Sequence, residues 1–205
     1  MTKIKICGNT RKEDVDLAVG LGVDLLGFIF GPSKRHIDID EARGLVAHIP
    51  DTIERVGVFV SEPVNMIAQA VEACGLTAVQ IYRPATEEDR ALGVTLLPAL
   101  RVRNGEDLDA LSFEPSDHPL LDTWAADTTG GGTGQKWDWG MASRLARRYP
   151  ILVSGGLTPA NVADAVDRLR PWGVDVCSGV EAEPGRKDHD KLRAFVAAVR
   201  AVDRT

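Results

Sequence analysis

Eight short apolar runs recur along this chain, and the segments between them carry the spacing of amphipathic helices. The runs fall near residues 3–7, 25–30, 55–60, 78–82, 95–100, 119–123, 151–155 and 174–178. Most are continuously apolar rather than alternating. That is the pattern of strands covered on both faces, and hence of a parallel sheet. Helices are expected at 11–22, 40–49, 64–74, 159–169 and 188–202. In the first, Val15, Leu17, Ala18 and Leu21 share one side; in the last, Leu192, Phe195, Val196 and Val199 face inward. Thr158 reads as the cap of the 159–169 helix and Pro159 as its first residue. Weaker helical segments lie near 86–92 and 106–112.

Consecutive runs start roughly 24 residues apart, about what a strand, a short helix and two turns require. In 205 residues, that spacing leaves room for eight βα units and little more. The expected fold is α/β, a single-domain, compact (βα)8 TIM barrel over residues 1–205. An open doubly wound sheet is the rival. It usually has fewer strands, and no glycine-rich dinucleotide fingerprint follows the first run here. No proline- or serine-rich linker divides the chain.

Composition narrows the partners. Apolar residues make up 44% and charged residues 26%, enough for a sizeable core, and with aromatics at 5% that core must rest on Val, Leu, Ile and Ala. Lys and Arg number 24 against 30 Asp and Glu, a net charge of −6, and no dense basic run occurs. This argues against a nucleic-acid partner, while a small anionic ligand remains compatible. The three cysteines, Cys7, Cys74 and Cys177, are odd in number and widely spaced, so no disulfide framework or zinc motif is implied. The chain opens directly into a strand-like run, without the apolar core of a signal peptide. No apolar stretch is long enough for a membrane span. The expectation is a reduced, cytoplasmic protein with no membrane partner, monomeric by default, with a homodimer as the alternative.

In a TIM barrel the chemistry sits at the carboxyl ends of the strands. Cys7 ends the first run, Arg35 follows the second in Ser33-Lys34-Arg35, and Asp122 ends the sixth. Gly155-Gly156 closes the seventh and Ser178-Gly179 the eighth. Each admits two readings. The glycines either make tight turns or let backbone N–H groups approach a phosphate, and their place on two adjacent strand ends favours phosphate. Cys7 is either a small buried hydrophobe or a reactive thiol. Asp122, a carboxylate closing an apolar run, needs either a salt-bridge partner or a chemical task. A thiol and a carboxyl across one barrel mouth resemble a base and an acid. Arg35 is either an ordinary surface arginine or the holder of a second anion. The four histidines, His36, His48, His118 and His189, end no strand, which argues against a metal-dependent epimerase site. His36, beside Arg35, is placed in a solvated loop.

An ordered set of motifs resembles the phosphoribosylanthranilate isomerase family. It begins with Lys5-Ile6-Cys7-Gly8-Asn9-Thr10, Ser33-Lys34-Arg35, Val56-Gly57-Val58-Phe59 and Leu121-Asp122. It continues with Gly131-Gly132-Thr133-Gly134, Trp137-Asp138-Trp139 and Ser154-Gly155-Gly156-Leu157-Thr158-Pro159-Ala160-Asn161-Val162. Asp175-Val176-Cys177-Ser178-Gly179-Val180-Glu181 and Pro184-Gly185-Arg186-Lys187-Asp188 complete it. The resemblance spans nearly the whole chain, and it implies a cofactor-independent Amadori rearrangement of N-(5-phosphoribosyl)anthranilate. It makes Asp122 the general acid on the ribose ring oxygen and Cys7 the general base at C2′. It makes Arg35 the binder of the anthranilate carboxylate, and the turns at Gly155-Gly156 and Ser178-Gly179 the phosphate cradle. No metal is implied. Two positions depart from the family. Tyr82-Arg83 stands where the family often has His-Gly, and Cys177 stands where it often has serine. The alternatives are a related aminoaldose-phosphate isomerase and a catalytically silent phosphosugar-binding barrel.

Overall fold

In the computed structural model, which describes residues 1–103, 108–123 and 138–204, eight parallel strands close into a barrel in sequence order. They are β1 (Lys3–Ile6), β2 (Leu25–Ile29), β3 (Glu54–Phe59), β4 (Ala78–Ile81), β5 (Thr95–Val102), β6 (Leu120–Thr123), β7 (Leu152–Val153) and β8 (Gly173–Val176). Closure comes from β1 lying beside β8, with Lys3 opposite Gly173 and Ile6 opposite Val176. Helices α1 (Lys12–Gly20), α2 (Ile39–Val46), α3 (Val64–Cys74), α4 (Glu87–Arg90), α5 (Leu145–Arg148), α6 (Val162–Leu169) and α7 (His189–Val202) return the chain between strands and after the last. No helix among the described residues is long and apolar enough to cross a membrane.

Successive side chains of a strand point to opposite faces, and the core divides accordingly. Ile4, Ile6, Leu26, Phe28, Val79, Ile81, Val174 and Val176 pack outward against helix residues such as Val15, Ala18, Ile67 and Phe195. Leu121 and Val153 pack outward against Ala142 and Leu145. The intervening positions face in, and Leu25, Val56, Ala78, Leu97, Leu120 and Leu152 fill the barrel's interior. The same alternation turns Lys5, Gln80, Asp122, Ser154 and Asp175 inward, next to that apolar plug.

Several elements differ from the pattern expected of the sequence. The helix after β7 begins at Val162, not at Pro159. Asn161 accounts for the delay: its Oδ1 accepts from the Thr158 N–H at 2.8 Å and its Nδ2 donates to the Gly156 carbonyl at 2.9 Å, which holds 156–161 as a turn. The 86–92 segment contracts to α4, held by a reciprocal capping box between Thr86 and Asp89. Of 106–112, only a 3-10 turn at Leu108–Ala110 is described. Two features carried no apolar periodicity. One is the 3-10 turn Trp139–Ala142 leading into α5. The other is an antiparallel pair after β8, β9 (Glu181–Glu183) and β10 (Arg186–Lys187). The Gly131–Gly134 motif and Trp137 lie outside the described residues.

Candidate active site

At the carboxyl end of the barrel lies a cleft, and Cys7, Arg35, Asp122, Gly155, Gly156, Ser178 and Gly179 all line it. Chain topology brings together groups up to 172 positions apart because every parallel strand delivers its last residue to the same rim. None of the four histidines lines the cleft. His36 instead contacts the Gly31 carbonyl through Nδ1 at 3.2 Å, His118 stacks on Trp172, and His189 pairs with Asp14 at 2.8 Å.

Cys7 follows β1 directly and is buried. Its backbone N–H is anchored on the Val176 carbonyl at 2.9 Å. The neighbouring Cys177 thiol at the end of β8, whose Sγ donates to Glu181 Oε1 at 3.8 Å, draws the Cys7 pKa down to about 7; burial opposes this, and the Lys5 and Lys187 charges assist it. Cys7 in turn pushes Cys177 well up, because Cys177 keeps the proton. Lys5 is wholly buried below the thiol. Its Nζ donates to Asp175 at 2.8 Å, and Asp175 also accepts from the Ser154 hydroxyl at 2.9 Å. Gly27 on the neighbouring strand leaves room for both. A methyl group there would stand 2.9 Å from the Cys7 sulfur and 3.1 Å from Lys5 Nζ.

Asp122 faces the same space from β6, and its pKa is raised to about 6. Burial is the largest cause and the charge on Asp175 the next; hydrogen bonds from the Thr123 N–H and the Tyr82 hydroxyl pull the other way. Those bonds measure 2.8 and 3.0 Å. The salt-bridge reading of Asp122 is therefore replaced by that of a neutralisable carboxyl held by neutral donors. Tyr82 lies beneath the Arg101 guanidinium, 4.8 Å from its ring centre. Arg83 turns away and forks onto Asp89 at 2.6 and 2.7 Å. Of the two departures in the fourth strand, only Tyr82 reaches the acid.

Arg35 is not an ordinary surface arginine. Only 8% of it is exposed, and its Nε and Nη2 grip Glu181 at 2.8 and 2.6 Å. Glu181 also takes Lys187 at 3.2 Å, and Lys187 Nζ donates to the Cys7 carbonyl at 2.6 Å. The β9–β10 pair thus fixes Arg35 and the end of β1 through one buried cluster.

The tight-turn reading of the glycines is what the structure describes. Gly155 has φ of +83°, and a side chain there would overlap the Thr123 hydroxyl and amide. At Gly179 it would strike the Leu157 carbonyl. The turns are tight for steric reasons, and that tightness brings their backbone to the cleft.

Sequence reasoning missed Lys5, Gln80, Ser154, Asp175, Glu181 and Lys187. A signal existed for two of them. Lys5 lies between Ile4 and Ile6, and Asp175 between Val174 and Val176. A charge inside a strand covered on both faces demands an opposite charge in the same layer. Glu181 and Lys187 sit in a polar segment and carried no such mark.

Comparison with known proteins places the chain among relatives of the same fold. The family described as N-(5'phosphoribosyl)anthranilate (PRA) isomerase matches residues 4–198. The enzyme named N-(5'-phosphoribosyl)anthranilate isomerase in Dechloromonas aromatica is 44% identical over 209 residues, covering 98% of each chain. The phosphoribosyl anthranilate isomerase of Thermotoga maritima superposes with a TM-score of 0.89 at 36% identity, covering 98% of this chain and 100% of that one. A structure of such an enzyme in complex with reduced 1-(o-carboxyphenylamino)-1-deoxyribulose 5-phosphate gives 0.86 at 35% identity, with the same coverage.

Proposed function

The chain belongs to the N-(5'-phosphoribosyl)anthranilate isomerase family, and from that premise we propose that it catalyses the Amadori rearrangement of N-(5-phosphoribosyl)anthranilate, with Asp122 as acid and Cys7 as base. The product is 1-(2-carboxyphenylamino)-1-deoxyribulose 5-phosphate. Asp122 gives its proton to the ribose ring oxygen. The bond from C1′ to that oxygen breaks, its electron pair stays on the oxygen, and the anilino nitrogen forms a Schiff base with C1′. The Cys7 thiolate then removes the C2′ proton. The pair left behind flows toward nitrogen and gives an enolamine, which tautomerises to the ketone. C2′ is oxidised and C1′ reduced within one molecule, so the electrons balance without an external oxidant. The iminium is itself the electron sink.

The observation that carries this reading is the opposed setting of two groups on one cleft. A thiol is drawn down toward its thiolate, while a carboxyl is pushed up to about 6. Each is moved toward the protonation state its role requires. Arg35, clamped by Glu181, presents a fixed cation for the anthranilate carboxylate. Gly155, Gly156, Ser178 and Gly179 offer backbone for the phosphate.

The test is a fluorescence assay of substrate consumption in the presence of a metal chelator. Cys7→Ser and Asp122→Asn are expected to bind the reduced product analogue with affinity close to the parent protein. Each should lose turnover by about 10²–10⁴-fold. Near-parental turnover in either variant overturns that residue's role. Turnover of a different aminoaldose phosphate, with none of this substrate, overturns the activity.

A further inference from the structure

The Tyr82 hydroxyl joins two side chains that point into the barrel, Gln80 of β4 and Asp122 of β6. It accepts from Gln80 Nε2 at 3.1 Å and donates to Asp122 Oδ2 at 3.0 Å. The other carboxyl oxygen accepts from the Thr123 N–H at 2.8 Å. This arrangement satisfies an ionised Asp122. An acid waiting to react carries a proton, however, and that proton also needs an acceptor. The Thr123 N–H cannot accept. The Tyr82 hydroxyl can, provided it donates somewhere else.

That second acceptor is present. Gln80 is 1% exposed, and its Oε1 is buried without a hydrogen-bond partner among the described residues. Unpartnered buried amide oxygens are uncommon and ask for a reason. Half a turn of the amide brings Oε1 to the place of Nε2, where it accepts from Tyr82. The turn places Nε2 where Oε1 now lies, so either direction of the Tyr82 bond leaves one end of the amide without a partner. The protonation of Asp122 then decides.

We propose that Gln80, Tyr82 and Asp122 form a reversible hydrogen-bond chain whose direction inverts as Asp122 gives up its proton, which makes Tyr82 and Gln80 positioning residues for the acid. The inference rests on the reading of Asp122 as general acid. In the resting state the acid proton lies on the Asp122–Tyr82 contact, and Tyr82 donates to Gln80 Oε1. When the proton leaves for the substrate's ring oxygen, the hydroxyl turns and donates to the carboxylate left behind. Stabilisation thus arrives where charge develops. The other groups acting on Asp122 are Asp175 from β8, which disfavours its charge, and Arg101 from β5, which favours it. Neither can switch between donor and acceptor.

The experiment follows the carboxylic C=O stretch of Asp122 by infrared spectroscopy, assigned by its loss in Asp122→Asn and titrated through the carboxyl range. Tyr82→Phe removes the donor to the carboxylate, so the Asp122 pKa should rise. Gln80→Leu removes the alternative acceptor and leaves Tyr82 able to donate only to Asp122, so the pKa should fall. In both variants kcat should drop between about tenfold and 10²-fold, with KM changed less than about threefold. Tyr82→His, which offers one donor and one acceptor, should recover much of the kcat lost in Tyr82→Phe. If Gln80→Leu fails to fold, Gln80→Met supplies the same reading. Shifts of the same sign, or no shift, overturn the chain. The infrared titration needs no turnover, so it is independent of the assignment it builds on. If Asp122→Asn stays active while the shifts appear, the acid role fails and the chain stands.

Discussion

Burial holds the Asp122 carboxyl at about 6, whereas an unfolded aspartate titrates near about 3.9. The folded state therefore binds this proton more tightly than the unfolded chain does. Its contribution to stability is fully present below about pH 4 and is lost as pH rises through about 6, a difference of about 3 kcal/mol in total. An amide carries no such burden. Asp122→Asn should be more stable than the parent by about 2–3 kcal/mol at about pH 8 and by far less at about pH 4. Urea unfolding at the two pH values measures it; equal differences at both would contradict the account. Cys7 supports a companion prediction. The largest influence lowering it is the Cys177 thiol, a residue the sequence marks only as a departure from a family pattern. Cys177→Ala should raise the Cys7 pKa, read from thiolate absorbance against pH, while Cys177→Ser, which keeps a donor, should not.

At the scale of elements, the strands were legible because their outward residues meet helices and their inward residues meet an apolar plug. Both faces must then be apolar over most of each run. That same continuity obscured the inward polar residues, since a single Gln80 or Asp175 barely interrupts a run. Boundaries were less legible. The helix after β7 was expected to start at a proline after a good capping residue, but Asn161 redirects those backbone groups into a turn. The β9–β10 pair escaped notice because its order comes from a buried ion cluster of Glu181, Arg35 and Lys187, not from apolar alternation. The Ser178-Gly179 turn was placed correctly at a strand end, but its steric cause lies on the neighbouring strand's loop. Gly179→Ala drives a methyl group into the Leu157 carbonyl. It should cost about 1–3 kcal/mol and raise KM more than it lowers kcat, because the turn borders the proposed phosphate position rather than the proposed acid and base. Chemical denaturation and steady-state kinetics together check both halves.

Across the whole molecule the two ends of the barrel divide their duties. The carboxyl end holds the cleft. The amino end is tied by Arg200 of α7, which reaches the Thr2 carbonyl at 2.6 Å and Asp24 at 3.0 Å, and by Asp203, which accepts from the Thr2 N–H at 3.0 Å. These contacts bind the last helix to the first two strands across the closure of β1 on β8. Arg200→Ala should therefore lower the unfolding free energy by about 1–3 kcal/mol while leaving kcat and KM near parental values. A comparable loss of turnover would show that the two ends are coupled.

The sequence by itself determined the number of strands, their parallel order and the rim on which chemistry would sit. Those follow from the period of the apolar runs and the short connections, both local properties. It also supplied Cys7, Arg35, Asp122 and the two glycine turns as candidates, since each ends a run or follows it closely. Only the tertiary structure decided what state those groups hold. Lys5 meets Asp175 across 170 positions, Tyr82 meets Asp122 across 40, and Arg35 meets Glu181 across 146. Protonation and orientation depend on partners within a few ångströms and on exclusion of water. Both appear only when the last strand closes against the first.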